Sequence, residues 1–373
     1  MDALMLPLNW QRVRLGDIGK PCMCKRVMKH QTTRYGEIPF YKIGTFGNTA
    51  DAFISKKLFL EYRTKYSFPK KGDILISASG TIGRAVIYDG KPAYFQDSNI
   101  VWIDNDETLV KNDFLFYAYS NVKWNTEHTT ILRLYNDNFR NTLIPLPPLN
   151  EQNAIANILS ALDRYLYALD ALILKKEGVK KALSFELLSQ RKRLKGFNQA
   201  WQRVRLGDIA NYLTSNLSAE QITQQGKIKV YDVNNFIGYT DTTFISDKPY
   251  ISIVKDGSVG KVRILPPKTN ILSTMGALIA NHRTTTEFLF YLLSNFDFKN
   301  FTSGSIIPHI YFKDYKEKTI FLPPLNEQSA IANILSDLDN EIASLKNKKR
   351  QFENIKKALN HDLMSAKIRV LKK

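Results

Sequence analysis

Cysteine is nearly absent from this chain of 373 residues, where Cys22 and Cys24 are the only two. They stand one residue apart, too close for an ordinary staple and too few for a secreted disulfide framework, so a reducing cytoplasm fits best. Histidine is sparse as well. His30, His128, His282, His309 and His361 form no ligand pair at helical spacing, and no H-E-x-x-H occurs. Cys22, Cys24 and His30 could in principle hold a metal, but Lys20, Lys25, Arg26 and Lys29 would repel a cation. Long uncharged apolar runs are also missing. The most apolar long stretch, 154–174, carries Asp163, Arg164 and Asp170, and the N-terminus lacks a basic region followed by an apolar stretch. Neither membrane insertion nor secretion is expected.

Catalytic signatures are missing too. Gly257-Ser-Val-Gly-Lys261-Val262 is reminiscent of a phosphate-binding loop, but that motif requires glycine where Lys255 stands and Ser or Thr where Val262 stands. No G-x-G-x-x-G follows a strand. There is no glycine-rich adenosylmethionine loop, no Asn-Pro-Pro-aromatic or Asp-Pro-Pro-aromatic tetrad to hold a flipped base, and no paired-carboxylate nuclease pattern. A binder is expected rather than an enzyme.

What the chain has in excess is positive charge: 53 Lys and Arg against 35 Asp and Glu, a net +18. The excess is not a tail. It amounts to +6 over 1–149 and +4 over each of 150–200, 201–325 and 326–373. Such a balance favours a polyanionic partner, nucleic acid ahead of an acidic membrane surface. With 21 Phe, 18 Tyr and 4 Trp, apolar material is ample to offset chain entropy, and the length suits two or three domains.

The chain also repeats itself. WQRVRLGDI occurs at 10–18 and again at 201–209; LPPLNEQNAIANILS at 146–160 returns at 322–336 with Ser329 for Asn153. Lys180-Lys181-Ala182-Leu183 answers Lys356-Lys357-Ala358-Leu359. Between these blocks the copies diverge, although DFLFYAYSN (113–121) still matches EFLFYLLSN (287–295), and Gly80-Thr-Ile-Gly-Arg84 matches Gly257-Ser-Val-Gly-Lys261. The order is variable, constant, variable, constant.

The constant segments are predicted to be helices. Ile155, Leu159, Leu162, Leu166, Leu169 and Ile173 alternate in steps of four and three, a coiled-coil seam that Val179, Leu183 and Leu187 continue after a slip in phase at Gly178. Ile331, Leu335, Leu338, Ile342, Leu345 and Phe352 repeat it, followed by Ile355, Leu359 and Leu363. Pro147-Pro148 and Pro323-Pro324 precede the helices, where a missing N–H is tolerated. Some 40 residues at about 1.5 Å each make a rod on the order of 60 Å. Two rods with matching stripes should pair. The Lys/Arg-rich stretches 175–195 and 346–373 read as solvated helix faces rather than DNA clamps. Short glycine-punctuated strands at 73–78 and 85–88 and a helix at 113–121 make the variable regions mixed α and β. The expected architecture is α+β, with domains at 1–149 and 196–325 and helical segments at 150–195 and 326–373.

The tandem WQRVRLGDI starts, the paired LPPLNEQxAIANILS blocks and the alternation of variable with constant regions resemble the specificity subunit of Type I restriction-modification enzymes, over essentially the whole chain. The resemblance implies two target recognition domains in pseudo-twofold repeat, each reading half of a split site in double-stranded DNA. Between them an antiparallel coiled coil of conserved helices would act as a ruler. It further implies docking of two methyltransferase subunits that bring adenosylmethionine, and of restriction subunits that use ATP and Mg. No cofactor would belong to this chain.

Recognition loops in such proteins vary by nature, so contacts must be sought from residue chemistry. Ser77, Ser79, Thr81 and Arg84 on the first glycine-bounded turn, with Lys255, Ser258 and Lys261 on the second, are the leading DNA-contact candidates; an ordinary hairpin with a surface cation is the equal alternative. Thr130, Arg133, Ser303, Ser305 and His309, just ahead of the Pro-Pro blocks, join them. Trp10 and Trp201 read as packing anchors. Glu151-Gln152 and Glu327-Gln328 read as helix caps or methyltransferase contacts, with capping preferred. Two other classes remain: a coiled-coil assembly adaptor without sequence readout, and a catalytic DNA-modifying protein.

Overall fold

The computed structural model describes residues 7–128 and 132–370. Each variable region folds on the same plan. The first places a four-stranded antiparallel sheet in the order Gly19–Met23, Ile100–Asn105, Ile74–Ser77, Ala85–Ile87 beside a three-stranded one, Phe53–Ile54, Ile38–Tyr41, Tyr94–Phe95. The second repeats both: Ala210–Thr214, Met275–Ala280, Tyr250–Val254, Val262–Leu265, then Phe236–Thr240, Ile228–Tyr231, Thr269–Ile271. In each copy the last pairing is parallel. Ile74–Ser77 and Tyr250–Val254 are buried along their whole length, which explains why these central strands read as continuous apolar runs rather than alternating ones.

The repeated WQRVRLGDI blocks supply a clasp. Gln11–Arg14 pairs antiparallel with Leu143–Leu146, and Gln202–Arg205 with Thr319–Leu322. Each clasp brings the start of a variable region back to its end, and the chain then enters a 40-residue helix, Leu149–Leu188 or Leu325–Met364. The expected helices at 113–121 and 287–295 are found at Asn112–Tyr119 and Thr286–Ser294. One difference between the copies is the helix Lys56–Lys65, which follows Phe53–Ile54 in the first and buries its Phe59 in an aromatic core with Phe40, Tyr94 and Trp102.

Compact units do not follow the linear order. One comprises Met1–Leu169 with Lys348–Lys373, the other Asp170–Asn347. Within the second unit, Lys176 donates to Glu341 at 2.8 Å, Glu177 meets Lys346 at 2.6 Å, and Lys180 meets Asp339 at 2.5 Å, so the two helices run antiparallel. Within the first, Lys356 pairs with Asp163, and the Tyr165 and Phe352 rings lie 4.7 Å apart. Four lysines of the lysine-rich stretches, Lys176, Lys180, Lys346 and Lys356, are thus held in partly exposed ion pairs between the helices.

The seam residues divide by position. Ile155 and Leu159 are buried in the core of the first domain with Trp10, Phe114, Leu363 and Met364; Ile331 and Leu335 join Trp201, Phe288 and Leu187 in the second. Placed by spacing on the helix seam, these four share a core with residues of the opposite helix, Leu363 and Met364 in one case and Leu187 in the other, and also fasten each globular domain to the helices. Leu169, Ile173 and Ile342 are buried further along, while Leu162, Leu166, Leu338, Leu345 and Phe352 are half-buried. Because Leu335 is fully buried, Leu335→Ala is expected to cost about 2–5 kcal/mol. Urea unfolding of the full chain measures this, and a cost below about 1 kcal/mol would place Leu335 outside a packed core.

Candidate nucleic-acid interface

The candidates come together into one loop cluster per domain. In the first, the chain leaves Ile74–Ser77, turns through Gly80 and Gly83, and returns as Ala85–Ile87. Ser77 is buried: its hydroxyl donates to the Thr81 carbonyl and accepts the Arg84 N–H at 2.9 Å. That corrects its place among the contacts, since the hydroxyl is consumed in closing the turn. Ser79 is also buried and donates to Asn99 Oδ1 at 2.8 Å, while Arg133 Nη2 donates to the same oxygen at 3.0 Å. Ser79 therefore supports Arg133 rather than facing a ligand. Ser79 and Arg133 also form a backbone bridge, and the Leu134 N–H donates to the Ala78 carbonyl. Thr81 and Arg84 are exposed, with Arg84 Nη1 donating to the Phe46 carbonyl at 2.9 Å. Thr130 lies outside the described residues. Arg133 lines a cleft of about 500 Å³ with Arg26, Lys29, Lys42, Gln96 and Asn99.

The second domain is stitched in the same way. Asp256 and His309 form the corresponding bridge, the Gly257 N–H donates to the Pro308 carbonyl, and the Ile310 N–H to the Lys255 carbonyl. His309 Nδ1 lies 2.6 Å from Asp256 Oδ1. Ser258, Lys261, Ser303 and Ser305 are exposed and Lys255 is half-buried. The pairing of Ser303 with His309 carries Ser303 on a hairpin beside the glycine turn.

These loops now have relatives to stand against. The family model described as the Type I restriction modification DNA specificity domain matches residues 7–176 and again 198–354. The chain belongs to this family. A Haemophilus influenzae protein provisionally named type I restriction enzyme specificity subunit S.HindORF215P is 63% identical over 148 residues, 39% of this chain and 38% of that protein. The type I restriction enzyme MjaVIII specificity subunit of Methanocaldococcus jannaschii is 26% identical across 99% of this chain and 95% of its own length. In fold, the chain matches the crystal structure of a type I restriction-modification S subunit from M. genitalium, with TM-score 0.64 at 20% identity over 98% and 99% of the two chains. It also matches a chain solved in work on complex assembly and conformational transition of the type I system, with TM-score 0.59 at 17% identity over 96% and 98%.

In this specificity protein the Glu-Gln pairs are not caps. Glu151 is buried, accepts the Trp10 indole N–H at 3.0 Å, and takes two bonds from Arg369 at 2.6 and 2.8 Å. Glu327 is fully buried, accepts Trp201 Nε1 at 2.9 Å, and takes Arg193 at 2.6 and 3.2 Å. Gln152 and Gln328 are fully buried and bond backbone groups of their own domains, Lys111 N–H and Leu109 carbonyl in one case, Thr285 N–H and Arg283 carbonyl in the other. Each domain is thus tied to its helix start, and each helix start to the tail that follows the opposite helix. Tyr117 and Tyr291 add a second tie, donating to Asp163 at 2.7 Å and Asp339 at 2.9 Å. Burial, then these carboxylates, pushes both phenols far above their ordinary range.

Sequence reading missed Arg193, Arg369, Asn99 and Asp256. For the arginines a signal existed, because one offset of 176 residues relates Glu151 to Glu327 and Arg193 to Arg369. Elsewhere the chemistry is quiet. No group of three or more His, Cys, Asp or Glu able to hold a metal occurs among the described residues. Burial pushes the Cys24 thiol up to about 12, which suits a packing residue. No helix among the described residues is long and apolar enough to cross a membrane.

The turn glycines are steric requirements. Gly83 has φ +82°, and a Cβ there would lie 2.1 Å from Trp124 Nε1; Gly260 has φ +81°, with Phe298 2.6 Å away. Gly83→Ala is expected to cost about 1–3 kcal/mol from backbone strain, and to displace Arg84 and Thr81. Thermal unfolding of the full chain checks this, and an unchanged midpoint would contradict it.

Proposed function

We propose that the chain is the noncatalytic DNA sequence-specificity subunit of a type I restriction-modification complex. In that role it reads a bipartite site in double-stranded DNA and docks two methyltransferase subunits and the restriction subunits in the cytoplasm. Adenosylmethionine would sit on the methyltransferase, ATP and Mg on the restriction subunit, and none of them on this chain. The observation that carries the reading is the repeated stitch between glycine turn and hairpin, built on one scaffold with different side chains: Thr81, Arg84 and Arg133 in one domain, Ser258, Lys261 and His309 in the other. Identical frames with unlike loops fit two unlike half-sites. Both domains are basic in their own right, which supports phosphate attraction beneath the base readout.

Methylome sequencing tests the proposal. Cells lacking other methyltransferases would express this chain with its cognate methyltransferase subunit, beside controls expressing either alone. Adenine methylation at one split motif, present only with both, is expected. A soluble, assembled pair that methylates no motif would reject sequence readout and favour the coiled-coil adaptor; methylation by this chain alone would make it an enzyme. Binding of the purified complex to that motif should weaken at least about tenfold between 50 and 200 mM salt, since each neutralised phosphate contributes a slope of about −0.9. Fluorescence anisotropy reads this directly, and a salt-independent affinity would contradict the electrostatic component.

A further inference from the structure

Arg133 and His309 occupy one place in two copies of the same frame. Each forms a backbone bridge to the glycine turn, at Ser79 and Asp256 respectively, and each side chain is held by a polar residue of its own domain. Arg133 leans on Asn99, whose amide oxygen also takes Ser79. The guanidinium has five N–H donors in a planar fork, and this bond uses one, so its remaining edge can offer two parallel donors. His309 Nδ1 lies 2.6 Å from Asp256 Oδ1, and in the tautomer that places the ring proton on Nδ1, facing the carboxylate, Nε2 presents a lone pair. In that tautomer the equivalent positions present opposite hydrogen-bonding character, a double donor in the first domain and an acceptor in the second.

Base edges in the major groove answer these two patterns differently. Guanine offers the O6 and N7 acceptors that match a forked double donor, whereas only adenine N6 and cytosine N4 supply a donor to a lone acceptor. We propose that Arg133 and His309 are paired specificity residues at one equivalent position of each half-site, Arg133 selecting guanine and His309 selecting a base with an exocyclic amine. Asn99 and Asp256 are their positioning residues. The surroundings suit such readers: Arg133 opens on a cleft carrying Arg26, Lys29 and Lys42, and His309 is only half-buried, its ring stacked 6.5 Å from Tyr311. Pro308 and Ile310, on either side of His309, have their backbone groups bonded to the turn, so the imidazole is presented on a fixed strand.

The inference rests on the specificity-subunit reading and is tested in the assembled methyltransferase complex, once the wild-type motif is known. His309→Arg should change one position of one half-site from adenine or cytosine to guanine, with a preference of roughly tenfold to a hundredfold, and leave the other half-site untouched. Arg133→His should make the reverse change in the opposite half. Arg133→Lys keeps the charge and loses the fork, so it should relax guanine preference while methylation persists. Asn99→Ala and Asp256→Ala should broaden the same two positions. Methylation assays on duplexes varied at each base, with methyltransferase co-purification as the check on folding, read all five. If folded His309→Arg and Arg133→Lys complexes kept every wild-type base preference, these residues would not be readers. A wild-type complex that methylates no motif would instead remove the specificity reading on which the pairing depends.

Discussion

Arg193→Met should destabilise the second unit by about 3–5 kcal/mol, because it strands the Glu327 carboxylate as a buried charge with one partner gone. Glu327→Gln should cost less, about 1–2 kcal/mol, although it breaks the same ion pair. The asymmetry follows from exposure. The Glu327 side chain is 0% exposed and that of Arg193 27% exposed, so the arginine can turn to water when abandoned and the carboxylate cannot. Glutamine also keeps an acceptor for the Trp201 indole N–H. Trp201 is the only tryptophan between 170 and 347, so replacing Trp10, Trp102 and Trp124 by Phe leaves a fluorophore that reports urea unfolding at the bond in question. Arg369→Met against Glu151→Gln should repeat the order in the first unit, where Glu151 is 2% exposed and Arg369 30%. Glutamine variants costing as much as the arginine variants would mean that the carboxylates are not effectively desolvated.

These ties explain what could and could not be read from the chain. The helices were legible because an apolar stripe of 40 residues has few alternative explanations. The two domains were legible because the clasp sequence occurs twice. That Ile155, Leu159, Ile331 and Leu335 also pack on the globular domains was not, since spacing marks a buried stripe without naming every surface that buries it. Glu151 looked like a cap because glutamate beside a helix start has that use in isolation; its real partners, Trp10 and Arg369, lie 141 and 218 residues away in sequence.

The candidate site was legible at the level of loops and not of atoms. Glycine turns and the segments before the Pro-Pro blocks did converge, but Ser77 and Ser79 belong to the framework. A short hydroxyl on a tight turn finds backbone or a neighbouring amide before it finds a ligand. Asn99 sits outside the repeated blocks, whereas Asp256 directly precedes the repeated glycine turn at the place of Ser79 but was passed over because a carboxylate there does not suit a phosphate contact.

Paired insertions in the two helices should change the gap between half-sites and leave each half-site intact. The ruler reading requires the helices to run along the duplex, and their geometry then sets which insertion works. Four residues placed after Leu169 and four after Asn347 add about 6 Å, between one and two base pairs at 3.4 Å each. They also turn the helix by a net of about 40°, against about 70° for two base pairs of B-DNA. Seven residues add about 10.5 Å but turn it by only about −20°, where three base pairs turn about 100°. The shorter insertion therefore keeps the domains nearer the faces they must read, while the longer one better preserves the heptad seam. If DNA register is limiting, the four-residue pair should methylate a motif lengthened by one or two base pairs and the seven-residue pair should be nearly inactive; the opposite order would make helix pairing the stricter constraint. Insertion in one helix alone should fail in either case, because it leaves the two helices unequal in length while their ion pairs, Asp163 with Lys356 and Asp339 with Lys180, each require both. Methylome sequencing reads the gap for each variant, and an unchanged gap in an active double insertion would sink the ruler.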